Sequence, residues 1–245
     1  MVKPRRGATN LDGVLLIDKP VGLTSHDVVD QIRSLTAEGR VGHAGTLDPA
    51  ASGLLIVCIG PATRLSERLT GMDKEYLART AFGSSTSTDD AEGQVIASSQ
   101  IPAKLSEPGF IHSVLDSFVG NISQIPPQFS AIKKQGVPAY RQARKGQTVD
   151  LEPRLVTIYR LELLAATEAS WDIVAEVSKG TYIRSLARDI GAAVGCPAHL
   201  AELRRLRIGD WRVAQAYNLD DIAAACALGS INRCFIEQPV VQAAE

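Results

Sequence analysis

Hydrophobic positions fall along this chain in two rhythms, and each predicts a different kind of element. Two uninterrupted apolar runs, at residues 13–18 and 54–59, have the length of strands rather than helices. The first is ended by Lys19-Pro20 and a Gly22 turn. The second, Leu54-Leu55-Ile56-Val57-Cys58-Ile59, predicts a strand covered on both faces. Between them Val28, Val29, Ile32 and Leu35 recur at helical spacing. Thr24 and Ser25 are candidate N-caps for that helix, Asp27 stands three after Thr24 as in a capping box, and Gly39 closes it. Residues 40–53, punctuated by Gly, Pro and Ser, predict a loop.

Further on, the pattern predicts a helix over 62–70, a strand over 76–82, a polar connection over 84–93, a short strand over 94–97 and a helix over 110–119. Residues 126–149 are rich in Pro, Gly and basic side chains, which predicts a long mobile loop with some helix. Trp171, Ile173, Ala175 and Val177 alternate with polar neighbours, a strand pattern. Ile183, Leu186, Ala187 and Ile190 share one face of a helix over 181–194, which Gly195 stops. A last short helix covers 219–228. Strands and helices mix without regular βαβ alternation, which points to α+β with a mixed sheet.

Composition narrows the function classes. Lys plus Arg number 26 against 27 Asp plus Glu, a formal net charge of −1. No global electrostatic footprint for nucleic acid exists, so any such site must come from local clusters. One cluster holds Lys133, Lys134, Arg141, Arg144 and Lys145 with Tyr140 among them; another holds Arg204, Arg205, Arg207 and Arg212. The cysteines at 58, 196, 226 and 234 form no C-x-x-C pair and no zinc-like spacing, and Cys58 in its apolar run reads as a reduced, buried thiol. Residues 1–10 are basic but lack the apolar stretch of a secretory signal, and no segment has the apolar length of a membrane span. These features predict a cytoplasmic protein.

The stretch richest in chemistry is Gly42-His43-Ala44-Gly45-Thr46-Leu47-Asp48-Pro49-Ala50-Ala51-Ser52-Gly53. It sets one carboxylate in a loop before a buried strand. Pro49 biases Asp48 toward extended backbone, and the glycines allow tight turns and close approach of a ligand. A carboxylate so placed can serve as nucleophile or general base. Asp-Pro alone is also an ordinary turn signal.

Seven motifs in order decide between these readings. The segment 42–53 resembles the catalytic-loop motif of the TruB family of tRNA pseudouridine synthases, G-[HQ]-x-G-x-L-D-P-x-A-x-G. Asp18-Lys19-Pro20-Val21-Gly22-Leu23-Thr24-Ser25 resembles the family's opening D-K-P-x-G-x-T-S, and Lys74-Glu75-Tyr76 its second motif. Thr86, Thr88, Asp90 and Gly93 fit T-x-T-x-D-x-x-G. Pro127-Gln128-Phe129-Ser130-Ala131-Ile132-Lys133, with Tyr140, Ala143 and Arg144, resembles the mobile RNA-gripping loop. Ser178-Lys179-Gly180-Thr181-Tyr182-Ile183-Arg184-Ser185 and Leu203-Arg204-Arg205-Leu206 complete the series.

The resemblance implies the pseudouridine synthase catalytic fold: a mixed, largely antiparallel central sheet with flanking helices. It implies isomerisation of uridine to pseudouridine at position 55, in the TΨC arm of tRNA, with base flipping and no cofactor or metal. Asp48 is implied to be the nucleophile, attacking either the ribose C1′ or the uracil C6; the residues do not choose. Arg184 is implied to pair with Asp48, and Tyr76 to stack on the flipped base and assist proton removal. Tyr182 lines the base pocket and Leu203 closes it. His43 is implied to fill the space that the nucleotide leaves. Implied RNA contacts come from Arg64, which stands where many relatives have lysine, and from Asp90, Lys133, Tyr140, Arg141, Arg144, Arg204 and Arg205. Lys19 reads equally as structural or as an RNA contact.

Two departures from the family pattern stand out. Phe129 replaces a tyrosine frequent in the gripping loop, and only a short stretch follows residue 212. The expected organisation is a catalytic domain over 1–212 and a short extension over 213–245, without a complete further RNA-binding domain. The expected partner is the TΨC stem-loop of tRNA, bound by a monomer with no membrane and no obligatory protein partner. Competing readings are a non-catalytic RNA binder, a nucleoside-hydrolase-like glycosidase, and an enzyme acting on a related, guide-directed RNA uridine. The quartet Asp48, Tyr76, Tyr182 and Arg184 argues against the first. The lack of a second positioned carboxylate argues against the second. The guide-directed relatives carry large extra regions, which are not expected here, and this argues against the third.

Overall fold

A computed structural model describes residues 5–7, 9–134 and 136–236; the side chain of Lys133 lies outside that description. The chain forms two compact units, one built from residues 1–72 and 204–245 and the other from 73–203.

The first unit begins with β1 (Gly13–Lys19), α1 (Ser25–Thr36), β2 (Val41–Ala44), β3 (Ala51–Ile59) and, after a 3-10 turn, α2 (Ser66–Thr70). Strands β1 and β3 pair antiparallel from Gly13 opposite Ile59 to Lys19 opposite Gly53. Why both are continuously apolar is plain from their two faces. Leu15, Ile17, Leu55, Val57 and Ile59 point into one core with Val28, Val29 and Ile32 of α1. Val14, Leu16, Leu54, Ile56 and Cys58 point into a second core with Ala62 and Leu69. Alternate side chains leave a strand on opposite faces, so two covered faces demand an unbroken run. Burial pushes the Cys58 thiol up to about 11, which keeps it protonated and inert.

Helix α1 starts as expected: Thr24 caps the Asp27 amide while the Asp27 carboxylate returns to the Thr24 amide. Its end differs, because Ala37, not Gly39, takes the left-handed conformation, with φ 54°. Residues 40–53 are not one loop. Residues 41–44 form β2, which pairs with β3 from Val41 opposite Ile59 to Ala44 opposite Ile56. Four residues carry too little pattern to reveal a strand made by its partner. The expected helix over 62–70 is instead a 3-10 turn (Gly60–Leu65) followed by the single turn of α2.

The second unit contains β4 (Lys74–Phe82), β5 (Ser84–Thr86), β6 (Val95–Ser98), α3 (Pro108–Asp116), β7 (Gly120–Gln124), β8 (Lys133–Lys134), β9 (Val137–Pro138), α4 (Ala139–Ala143), β10 (Arg154–Ala166), β11 (Ser170–Val177) and α5 (Ile183–Val194). Strand β12 (Ala198–Ile208) crosses the boundary, and β13 (Trp211–Arg212) and α6 (Leu219–Ala227) return to the first unit. In this second unit the order is β12-β4-β11-β10-β7, and the pairs from β4 to β7 are all antiparallel. Helix α3 packs on β10 and α5, and α5 on β4. Trp171 is fully buried, meets Phe82 edge to face at 4.7 Å and donates its indole N–H to the Leu105 carbonyl at 2.9 Å.

Strand β10 is absent from the sequence pattern for a physical reason. Val156 and Ile158 are buried, a register shift follows between Ile158 and Arg160, and the next buried position is Leu161. The extra residue breaks the period of two. Residues 126–149 are likewise more than a loop. The β8–β9 hairpin and α4 enclose a small apolar cluster of Ala139, Val149 and Leu151, with Ile132 against it. Among the described residues no helix is long and apolar enough to cross a membrane. The architecture is α+β, with a largely antiparallel sheet and flanking helices.

Candidate active site

In the first unit, Asp48 lies half-buried between β2 and β3, on a turn whose backbone is bonded at residue after residue. Gly45 takes φ +90°, a conformation that opens the turn and favours glycine. The Ser25 hydroxyl, 2% exposed at the first position of α1, accepts from the Leu47 amide at 2.8 Å and donates to the Leu47 carbonyl at 3.0 Å. Of the two candidate caps, Thr24 fills the capping place and frees Ser25 for the loop. The Asp48 carbonyl accepts from the Ala51 amide at 3.0 Å, and the Pro49 carbonyl from the Gly22 amide at 2.8 Å.

His43 sits on β2 opposite Val57. Burial first, then the nearby Arg205 and His26 charges, hold its imidazole below the usual 6.5. It is therefore neutral at physiological pH, and among the described residues its buried Nδ1 has no hydrogen-bond partner.

The Leu203-Arg204-Arg205-Leu206 motif lies on β12 and splits in role. Arg204 makes a two-pronged contact with Asp18, 3.0 Å to Oδ1 and 2.7 Å to Oδ2, with its side chain partly exposed. Arg205 is only 1% exposed and donates to the carbonyls of Leu54, Gly45 and Thr46. Its guanidinium is thus bonded inside the unit. Lys19 is fully buried, and its Nζ donates to the carbonyls of Pro20 and Leu23 at 2.8 and 2.7 Å. Arg64 is exposed on the 3-10 turn.

In the second unit, Tyr76 lies on β4 opposite Ala175, 9% exposed. Tyr182 immediately precedes α5, and Gln124 fixes its backbone: the Tyr182 amide donates to Gln124 Oε1 at 2.9 Å, and Gln124 Nε2 donates to the Tyr182 carbonyl at 3.2 Å. Gln124 is 1% exposed and no motif marks it; only the fold reveals its role. Leu203, on β12, is half-buried.

Arg184, in the first turn of α5, is 7% exposed rather than a surface cation. It donates to the carbonyls of Thr88 and Phe129 at 3.2 and 3.1 Å and lies 3.5 Å from Asp90 Oδ2. Asp90 is itself buried and accepts from the Thr88 hydroxyl and the Glu92 amide. Its carboxylate lies against the Arg184 guanidinium. Beside it Arg188 bonds Asp89 and Asp189; burial still holds both carboxyls above their ordinary value. Arg141 on α4 and Arg144 just after it lie 6.0 and 5.6 Å from the centre of the Tyr140 ring, with both arginines exposed.

Comparison with known proteins bears directly on this arrangement. Residues 33–183 match the model of the TruB family pseudouridylate synthase N-terminal domain, and residues 184–234 that of the tRNA pseudouridylate synthase B C-terminal domain. The chain is 43% identical to tRNA pseudouridine synthase B of Opitutus terrae, a match covering 100% of this chain and 98% of that protein. It is 47% identical to that of Thermobifida fusca, covering 87% of this chain and 75% of the relative. Among solved structures, a Cbf5-Nop10-Gar1 complex matches with a TM-score of 0.68 and 31% identity, covering 92% of this chain and 57% of the other. An H/ACA RNP bound to a substrate RNA containing 2'-deoxyuridine matches at 0.66 and 30%, covering 92% and 56%. The chain thus spans just over half the length of those two structures' chains. The motif loop, the fold and these matches agree: the chain belongs to the TruB family of pseudouridylate synthases, and it is an isomerase.

Proposed function

We propose that this enzyme converts uridine 55 in the TΨC arm of tRNA to pseudouridine, with the Asp48 carboxylate as nucleophile and without a cofactor. It acts as a cytoplasmic monomer with no obligatory protein partner. The observation that carries this reading is the Asp48 turn, a half-buried carboxylate on a backbone bonded on both sides of it. Near-full-length similarity to tRNA pseudouridine synthase B supports the substrate class.

The chemistry follows from what such a carboxylate can do. An Asp48 oxygen attacks C1′ of the ribose or C6 of the uracil, and the bond from C1′ to N1 breaks. The base stays in its pocket, turns, and bonds C1′ through C5. The C5 proton then leaves to solvent, N1 holds a proton, and Asp48 is released, so the product is an isomer of the substrate. Flipping the base out of the folded arm costs roughly a few kcal/mol of unstacking.

Roles at the remaining positions follow from the resemblance. Arg184 pairs with Asp48 during the reaction, keeping it ionised and oriented. Tyr76 stacks on the flipped base and helps remove the C5 proton, Tyr182 lines the pocket and Leu203 closes it. His43 takes the place of the flipped nucleotide; a neutral imidazole suits a site among stacked bases. Phosphate contacts come from the exposed Arg64, Arg141 and Arg144 and the partly exposed Arg204, together with Lys133, and Tyr140 offers its ring to the RNA.

The test is chemical mapping. A tRNA transcript treated with the enzyme, then with a carbodiimide that stays on pseudouridine, should stop reverse transcriptase at position 55. A transcript carrying cytidine there should give no stop. Retention of RNA on a filter with no stop anywhere would instead make this chain an RNA binder.

A further inference from the structure

Five consecutive carbonyls, of Gly45, Thr46, Leu47, Asp48 and Pro49, each accept a hydrogen bond from elsewhere in the same unit. Ordinary turns leave most of theirs to water. Two of the five, and a third at Leu54 on the far side of the turn, go to one side chain, Arg205, at 3.0, 3.4 and 2.7 Å. A planar guanidinium has five donors in a fixed fork, so it fixes the relative positions of the carbonyls it joins; an ammonium could not. Burying a cation without a carboxylate partner is costly. Among the described residues, Arg205 bonds to carbonyls alone.

Backbone geometry is arranged to admit it. Gly53 on β3 takes φ +101°, and a Cβ there would lie 2.3 Å from the Arg205 carbonyl oxygen. Only glycine lets β12 come close enough for its arginine to reach the turn. From the opposite side Ser25 holds Leu47, the residue just before Asp48, by both its amide and its carbonyl.

From this we infer that Arg205, with Ser25 as second anchor, is a positioning residue for the nucleophile: it holds the 45–49 turn rigid so that the Asp48 carboxylate is preset before RNA binds. The inference rests on the reading of Asp48 as nucleophile. Arg205 touches neither RNA nor the reacting atoms; it acts through the backbone. Misplacing a reacting group by about 1 Å can cost on the order of 100-fold in rate.

Single-turnover rates on a tRNA transcript, RNA affinity by filter binding and urea unfolding midpoints should be measured for the wild type, R205K and S25A. Arg205→Lys keeps the charge and loses the fork. Its rate should fall by about 100-fold while RNA affinity stays within about 2-fold of wild type. Ser25→Ala should lower the rate by about 10-fold, again without loss of affinity. In Arg205→Ala, millimolar guanidinium should restore part of the rate, and equal ammonium should not. Should Arg205→Lys fail to fold, the rate of Ser25→Ala decides the question. A wild-type rate in whichever of these two variants folds overturns the inference, as does a loss of affinity that matches the loss of rate. An inactive wild type would instead overturn the reading of Asp48.

Discussion

At the scale of single residues, the environment of a side chain decides what it does more than its type. Arg204 and Arg205 are neighbours of the same charge, yet one reaches a partly exposed carboxylate and the other is sealed among carbonyls. Alternation along β12 sends them to opposite faces, and the sequence shows only two arginines in a row. His43 makes the same point through pH. Its proton affinity is lowered in the folded state, so between that depressed value and the ordinary 6.5 the unfolded chain binds more protons. Stability contributed by neutral His43 is therefore present above 6.5 and is lost as pH falls through that window. His43→Asn should flatten the fall in urea midpoint between pH 7 and pH 5; an unchanged slope would show that other groups set it. At Gly53, alanine should destabilise the protein by about 2 kcal/mol or more, because the left-handed backbone and the Arg205 carbonyl both oppose a Cβ. Urea denaturation measures this, and a wild-type midpoint would contradict the packing described.

At the scale of elements, what can be read from the chain is whatever carries its own pattern. The runs that form β1 and β3, the capped start of α1 and the apolar face of α5 all follow from local periodicity. Strand β2 exists because β3 pairs with it, β10 hides its alternation behind a register shift, and β12 buries an arginine where a strand pattern calls for an apolar residue. None of these causes lies within the segment itself. The candidate site divides in the same way. Asp48, Tyr76, Tyr182 and Arg184 stand out because their motifs are local, whereas Gln124 and the double role of Ser25 depend on partners 58 and 22 residues away. Gln124→Ala should therefore weaken catalysis with little effect on RNA affinity, since it removes the clasp on the Tyr182 backbone. The single-turnover rate tests this, and an unchanged rate would make Gln124 a packing residue only.

At the scale of the molecule, a net charge of −1 means that affinity for RNA must come from a few placed cations, not from the whole surface. The exposed Arg141 and Arg144 beside Tyr140, and Arg64 on the 3-10 turn, are the cations proposed for that task. Sequence similarity over the full chain supplies the family, and the bonded turn around Asp48 is the feature on which the proposed chemistry rests. The central claim is that Asp48 makes the bond that frees the base. It is tested most directly by tritium release from a tRNA transcript labelled at C5 of uridine, with wild type and Asp48→Asn compared. Release by the wild type, none by the variant, and equal RNA binding by both are expected. Release by Asp48→Asn at the wild-type rate would contradict the claim.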